Sequence, residues 1–351
     1  MTAAPRPDGG GRPRGARRRG AAPDVAGSGG IGPDGAGDAS SGTVQRTLPR
    51  ASAKRRRAAD GHGRLAPYLY VLPAFVVYAA FMLYPLGRAA QYSLYEWNSV
   101  TNVVNFVGFG NYVEMFQDPE LRSGFTHALV LIFFYAVLPL VIGLLLAAIL
   151  NRARVRGLGF YRTVIFAPQV IAMVVVAVAW SRLYGTDGTL NDLLQLLHIV
   201  PEGETALGNS ILALPAIGLI GTWVETGLVT ILLLAGMGRI DGSLYEAARL
   251  DGAGAIREFF SITLPAVRGE IAVALTLTIV AALKTFDLIY MTTKGGPGTS
   301  TTVPSYQVYN QAFTLHEVGM ASTIGVTLTV LIFLINLVVN RIADRGTGED
   351  S

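Results

Sequence analysis

Residues 238–265 read GRIDGSLYEAARLDGAGAIREFFSITLP and form a polar stretch between two long apolar runs. Ser243 is followed three residues later by Glu246, which is the form of a capping box, where two side chains bond backbone N–H groups at a helix start. The alanine, leucine and arginine residues that come next favour a helix, and Gly252 and Gly254 are predicted to end it. The stretch therefore predicts a compact helix–turn–helix, whose two adjacent alanines would let a partner approach closely.

The apolar runs on both sides of this stretch are about 20 residues long, the length needed to cross a hydrocarbon core of about 30 Å. Hydrophobic residues make up 51% of the 351 and charged residues 15%, against about a quarter charged in soluble domains. We therefore predict an all-α, polytopic membrane bundle of six transmembrane helices. A second short helix from Ala255 to Thr263 leads to Pro265, where the fifth span is predicted to begin. The six predicted spans are Pro67–Leu86, Leu129–Leu150, Val164–Leu183, Ile211–Met237, Ile271–Ile289 and Ser322–Asn340.

Basic residues are distributed unevenly among the segments that connect these spans. With the N-terminus inside, the cytoplasmic segments carry 23 lysines and arginines, whereas the loops assigned outside carry only Arg122, Arg182 and Lys294. The positive-inside rule then predicts a multi-pass protein of the cell membrane with both termini in the cytoplasm. This orientation places residues 238–265, between the fourth and fifth spans, on the cytoplasmic side.

Residues 1–60 are rich in Gly, Ala, Pro, Ser and Arg and are predicted to be disordered, because they hold almost no large apolar side chains. Their basic clusters, Arg17–Arg19 and Lys54–Arg57, suit either nucleic acid or a cytoplasmic tail that touches anionic lipid. We favour the tail, because a transmembrane run starts ten residues after the second cluster. The predicted organisation is a basic tail (1–60), a transmembrane domain (61–345) and a short cytoplasmic C-terminal tail (346–351).

Several kinds of chemistry are excluded by what the sequence lacks. The chain has no cysteine and four histidines without an HExxH pattern, so disulfides, thiolate metal sites and this kind of zinc centre are excluded. No GxxxxGK[ST] phosphate loop occurs, and no carboxylate pair or Ser/His grouping marks a catalytic centre. No catalytic residue, metal or cofactor is therefore predicted. An integral-membrane enzyme and a secondary transporter or channel are the alternatives from other classes.

The spacing within residues 238–265 resembles the EAA loop of bacterial ABC-importer permeases: Glu-Ala-Ala, three residues, Gly, nine residues, then Ile-x-Leu-Pro. A secondary transporter would leave such a loop without a purpose. Phe286–Tyr290, with Thr293 and the Gly-Gly-Pro that ends at Pro297, resembles the carbohydrate-type branch, and the resemblance covers about residues 65–345. It assigns the role of coupling to an ATPase to Glu246, Ala247, Ala248, Asp251, Gly252, Ile262, Leu264 and Pro265.

The resemblance implies a transport subunit, with ATP hydrolysed in a separate partner. The helix around Glu246 would sit in a cleft of a cytoplasmic ATPase dimer, with Gly252 supplying the turn and Glu246 a cap or a salt bridge. A second homologous permease would complete the path, and an extracytoplasmic solute-binding protein or lipoprotein would deliver a mono- or oligosaccharide. Glycerol-phosphate or another polyol stays open as the substrate. Membrane lipid is an expected partner and nucleic acid is not.

Besides Arg182, which stands at the outer end of the third span and is counted with the outside loops, three ionisable residues lie within predicted spans: Glu225 in the fourth, and Lys284 and Asp287 in the fifth. Charges are costly in lipid, so these groups are expected to face the bundle interior and to pair. Lys284 and Asp287 are three residues apart and would meet on one helix face. One interpretation is a buried structural ion pair. The other is that the three residues line the solute path together with Trp223, Gln169 and Asn336.

Overall fold

The computed structural model describes residues 66–152 and 157–345, which form a helical membrane bundle. Five helices are long and apolar enough to cross a membrane, and a bent pair of helices makes a sixth span if it is counted as one. The predicted helical membrane bundle is therefore confirmed. The predicted tails, 1–60 and 346–351, lie outside the described residues.

The six spans differ in how continuous their helices are. The first joins Ala66–Tyr78 to Tyr84–Tyr92 through a π turn, and the second joins Pro119–Ile132 to Leu138–Arg152 in the same way. The remaining spans consist of Leu158–Val170 with Met173–Leu183, Ala213–Met237, Arg268–Leu283 with Asp287–Thr292, and Val318–Arg345. Shorter helices cover Gly110–Gln117, Thr189–Leu196, Ala206–Gly208, Gly242–Leu250, Ala255–Glu258, Leu264–Ala266 and Pro304–Tyr309, with π turns at Phe259–Thr263 and Asn310–Thr314.

A small antiparallel hairpin, absent from the prediction, follows the first span. Strand β1 (Tyr95–Asn98) pairs with strand β2 (Val103–Phe106). The Asn98 side chain holds the turn, because its carbonyl oxygen accepts hydrogen bonds from the N–H groups of Val100 and Thr101 at 3.0 and 3.1 Å. Its amide nitrogen donates to Glu317 at 2.9 Å, which ties the hairpin to the residues just before the sixth span.

The fourth span is the centre of the bundle, with two thirds of its most apolar window buried (67%). Glycines permit this packing: a Cβ at Gly221 would lie 2.0 Å from the ring of Tyr135, and one at Gly218 would lie 2.4 Å from the ring of Phe134. The Thr222 hydroxyl also donates to the carbonyl oxygen of Phe134, at 2.6 Å, in the π turn of the second span. The second and fourth spans are therefore locked together at mid-length.

The third predicted span, Val164–Leu183, is not one straight helix. Its two helices meet at 93°, because Ile171 and Ala172 are extended, with ψ angles of 133° and 132°. Hydropathy reports the length and composition of an apolar run but not whether its backbone is straight, so the sequence predicted a span here but not its bend.

Candidate functional site: the 238–265 loop and the interrupted fifth span

The helix that carries the Glu-Ala-Ala sequence, called here the loop helix, spans Gly242–Leu250. Asp241 caps its start: the backbone of Asp241 is extended, and its carboxylate accepts a hydrogen bond from the Ser243 N–H at 3.0 Å. The same hydrogen bond lowers the pKa of Asp241 below its ordinary value. The predicted capping box of Ser243 and Glu246 is therefore wrong, because an equally good capping residue stands two positions earlier.

The end of the loop helix is the turn that the sequence predicts at Gly252. This residue has a φ of +78°, in the left-handed region that glycine enters without steric cost. The N–H of Ala253 donates to the carbonyl of Ala248 at 2.9 Å, and the N–H of Gly252 donates to that of Arg249 at 3.1 Å. These two bonds define a Schellman motif. Gly254 lies outside the motif and instead begins the second helix of the loop.

Two side-chain contacts hold the loop helix against the second helix of the loop. Arg249 Nε lies 3.0 Å from a carboxylate oxygen of Glu258, which is only 4% exposed. The hydroxyls of Tyr245 and Thr263 lie 2.9 Å apart. Because the second helix continues through Leu264–Ala266 to the fifth span, the loop helix is mechanically tied to that span.

The opposite face of the loop helix is left uncovered. Ala247 and Asp251 are exposed on this face, and Leu250 is 89% exposed. Glu246 is exposed at the border of this face, where it also lines a cavity beneath the loop helix, and its side chain has no hydrogen bond or ion pair among the described residues. A Cβ placed on Gly252 would meet no atom within 4 Å. The face therefore combines an unpaired carboxylate, an apolar side chain and open space, which suits contact with another protein.

The other residues assigned to coupling lie where the loop packs against the membrane spans. Ala248 is half-buried on the inner side of the loop helix, and Ile262, Leu264 and Pro265 are half-buried at the entry to the fifth span. A cavity of about 440 Å³ lies beneath the loop helix, between Tyr245, Glu246 and Arg249 on one side and the inner ends of the second and fourth spans on the other. The structure thus divides the predicted coupling residues into an outward-facing group on the loop helix and a group that anchors the loop.

The fifth span is interrupted where two of the predicted charged residues lie. One helix ends at Leu283 and the next begins at Asp287, so Lys284 and Asp287 lie on two different helices. Both side chains are exposed, and neither forms an ion pair in the part of the chain that the structure describes. The interpretation as a buried structural pair is therefore wrong, because it assumed a continuous helix.

Glu225 in the fourth span is buried, with 4% exposure, and its carboxylate has no hydrogen bond or ion pair among the described residues. The Tyr135 ring, which packs on Gly221 one turn away, carries a hydroxyl 3.2 Å from that of Thr285. Thr285 lies in the interruption of the fifth span. Tyr135 therefore links the turn of Glu225 to the neighbourhood of Lys284.

The three remaining predicted path residues occupy separate places. Trp223 is 41% exposed and packs edge-on against Trp180 at 5.5 Å. Gln169 lies beside the bend of the third span, and its buried side-chain oxygen has no hydrogen-bond partner. Asn336 bonds the Ile332 carbonyl at 2.9 Å in the sixth span, and no hydrogen bond links it to the other five. Among these six described residues, only the regions of Glu225 and Lys284 are connected, through the contact between the Tyr135 and Thr285 hydroxyls.

Sequence reasoning missed a row of four aromatic rings that begins at this interruption. The rings of Phe286 and Tyr290 stack at 5.3 Å, and Tyr309 lies 5.5 and 5.1 Å from them. Phe313 lies 5.3 Å beyond Tyr309. The available signal was the spacing of Tyr306, Tyr309 and Phe313 by three and four residues, which puts aromatic side chains on one face of a helix. We call Phe286, Tyr290, Tyr309 and Phe313 the aromatic row.

Comparison with known proteins agrees with these features. Residues 139–346 match the family described as "Binding-protein-dependent transport system inner membrane component". The chain is 35% identical to the probable ABC transporter permease protein YurN of Bacillus subtilis over 82% of this chain and 98% of that protein. It is 32% identical to the diacetylchitobiose uptake system permease protein NgcF of Streptomyces coelicolor, over 78% of this chain and 81% of that protein.

A solved structure shares the fold. A bacterial alginate ABC transporter, in complex with an alginate pentasaccharide-bound periplasmic protein, contains a chain with a TM-score of 0.67. The match covers 80% of this chain and 95% of the other, at 23% identity. With a family match over more than half of its length and relatives that align along nearly their whole length, the chain belongs to the family of inner-membrane permease components of binding-protein-dependent ABC transporters.

Proposed function

We propose that this chain forms, with a second homologous permease, the translocation path for a mono- or oligosaccharide that an extracytoplasmic solute-binding protein delivers. A cytoplasmic ATPase dimer docks on the loop helix and supplies the energy. The observation that carries this proposal is the uncovered face of the loop helix, with the unpaired Glu246 and the turn at Gly252. Both termini lie in the cytoplasm, as the distribution of 23 basic residues against three supports.

Motion of the ATPase reaches the membrane through contacts within the loop. A displacement of the loop helix is transmitted by the Arg249–Glu258 ion pair and the Tyr245–Thr263 contact to the second helix of the loop. That helix leads into the fifth span, whose two helices are separated at Lys284–Phe286. We propose this interruption as a hinge, because a break between two helices lets each move as a unit. Closure of the ATPase dimer on ATP would thus tilt the inner part of the span against its outer part.

Two charged residues in the fifth span are evidence for a solute path, because charged side chains are unstable in contact with lipid tails. Lys284 and Asp287 are exposed on the isolated chain, although they belong to a membrane span. A charged side chain in the hydrocarbon region is costly unless it faces water or a protein partner. We therefore assign Lys284 and Asp287 to a water-filled path closed by the second permease. Further candidates are Glu225, which is buried within this chain, and Trp223, Gln169 and Asn336.

A sugar is the substrate class we favour, since the relative from Streptomyces coelicolor is named for diacetylchitobiose uptake. Glycerol-phosphate is the second candidate, because the exposed ammonium group of Lys284 suits a phosphate. The test is uptake by proteoliposomes that contain both permeases and the ATPase, with radiolabelled diacetylchitobiose, maltose, lactose or sn-glycerol 3-phosphate. Uptake should require internal ATP and external binding protein. Uptake that an ion gradient drives without ATP would refute the proposal.

A further inference from the structure

The aromatic row runs from the interruption of the fifth span to the segment that precedes the sixth. Phe286 and Tyr290 belong to the edge of the interruption, whereas Tyr309 and Phe313 come from the helix and π turn after Pro304. Consecutive rings lie 5.1 to 5.5 Å apart. Three of the rings are half-buried, and Phe313 is 69% exposed. The Phe286 and Tyr290 rings stack on each other, and Tyr309 meets them at tilted or edge-on angles. The row is therefore a chain of touching rings whose largely exposed end is Phe313.

Two exposed charged residues lie beside the Phe286 end of the row. Asp287 is adjacent to Phe286 and three residues before Tyr290, so that Asp287 and Tyr290 share one face of their short helix. Asp287 is exposed, as is Lys284 just before the row. A charged side chain in the hydrocarbon region is costly unless it faces water or a protein partner. The end of the row beside Asp287 therefore lies against water or another subunit and not against lipid tails.

The chemistry of the row suits pyranose rings. A pyranose presents a face of C–H groups, which packs on the electron-rich face of an aromatic ring, and hydroxyls around its edge. The hydroxyls of Tyr290 and Tyr309 are 3.4 Å apart, a loose contact that leaves each free to bond another group. Asp287 adds a carboxylate acceptor beside them. Stacking of this kind tolerates different sugars, because every pyranose has such a face.

We infer that the aromatic row lines the outer part of the solute path and is the surface on which the sugar rings of a saccharide stack as they leave the binding protein. The inference rests on the proposed function, and it places the row on the side of the membrane opposite the loop helix, since the row lies between the fifth and sixth spans. It adds residues that contact substrate to the charged groups already assigned. A substrate without a ring, such as sn-glycerol 3-phosphate, gains nothing from the row.

The test replaces Phe313, because its ring is largely exposed and contacts only one other ring of the row. Phe313→Leu keeps an apolar side chain but removes the flat face, and Phe313→Tyr keeps the face. The matched control is Phe106→Leu in the hairpin: Phe106 is also 69% exposed and also has one ring neighbour, Tyr95, at 5.3 Å. Saccharide uptake is measured with the reconstituted complex described above, after co-purification of all subunits has been verified.

Phe313→Leu should raise the KM for disaccharide uptake by about three- to tenfold, whereas Phe313→Tyr and Phe106→Leu should stay within about twofold of wild type. An unchanged KM in Phe313→Leu, or equal losses in Phe313→Leu and Phe313→Tyr, would overturn the inference while leaving the proposed function intact. Loss of the second permease from the Phe313→Leu complex would also overturn it, because the row would then be a subunit contact. If wild type carries only sn-glycerol 3-phosphate, the row has no ring to bind and the inference fails.

Discussion

Replacement of Gly252 by serine tests whether function depends on the left-handed backbone conformation of the turn that ends the loop helix. The φ of Gly252 is +78°, and a Cβ there would meet no atom within 4 Å, so steric contact with the rest of the chain has no part in the effect. Left-handed backbone costs a residue with a Cβ about 1–2 kcal/mol. That cost falls on a nine-residue helix, which has little stability of its own.

The chain offers a matched control two residues away. Gly254 also has open space around it, but its φ is −80° and it occupies the capping position of the next helix, where serine is favoured. Gly252→Ser should therefore reduce the population of the docking conformation by about 5- to 30-fold, whereas Gly254→Ser should not. Gly252→Asn should fall between the two, because asparagine tolerates left-handed backbone better than serine.

The assay is ATP hydrolysis by the reconstituted complex, stimulated by the loaded binding protein, with the amount of each variant in the membrane measured in parallel. Gly252→Ser should lose most of the stimulation while it inserts normally. If the two serine variants lose the same amount of stimulation, or if neither loses any, the reasoning is refuted. Either result would mean that the positive φ of Gly252, which Gly254 lacks, has no effect on coupling.

Three further predictions follow from single contacts. Glu246→Lys should abolish ATP-dependent uptake without loss of membrane insertion, because it places a cation where we propose that an unpaired carboxylate contacts the ATPase; normal ATPase co-purification and uptake would count against this role. Arg249→Met removes the guanidinium beside the buried Glu258. Backbone hydrogen exchange in Gly242–Leu250 should become faster, by an amount equivalent to a loss of about 1–3 kcal/mol in the free energy of opening the helix. Unaltered exchange would show that the ion pair does not hold the helix. Gly221→Ala places a methyl group against the Tyr135 ring and should lower the free energy of unfolding by about 1–3 kcal/mol, and with it the unfolding temperature of the complex. Gly159→Ala, which has open space around it, should leave the unfolding temperature unchanged. Equal unfolding temperatures for the two variants would contradict the packing described for the fourth span.

The sequence predicted features that have a local signal, such as run length or motif spacing, but not features that depend on long-range packing. Apolar run length located all six spans, and the Glu-Ala-Ala spacing located the loop helix and its turn at Gly252. The start of that helix was misplaced, because Asp241 and Ser243 are both good capping residues and the sequence alone does not choose between them. The hairpin at 95–106 had a local signal that was overlooked, since aromatic and β-branched residues flank an asparagine-containing turn.

The interruptions of the third and fifth spans lay beyond a hydropathy argument. Ile171 and Ala172 have no intrinsic need to be extended, and Lys284–Phe286 separates two helices that are apolar on either side. Such breaks are stabilised by contacts that are distant in sequence, such as the one between the Tyr135 and Thr285 hydroxyls across 150 positions. The aromatic row has the same character, because its two halves belong to different segments that only the fold brings together.

Cysteine cross-linking of the loop helix to the ATPase tests the coupling claim most directly. The chain contains no cysteine, so Ala247→Cys, on the exposed face of Gly242–Leu250, gives a single reactive site. A short cross-linker with a thiol-reactive maleimide at one end and a photoactivatable benzophenone at the other, which inserts into C–H bonds of the nearest protein, should join this position to the ATPase subunit in intact membranes, and the yield should change when ATP is added. Absence of any product with the ATPase, or a product with the extracytoplasmic binding protein instead, would contradict the account.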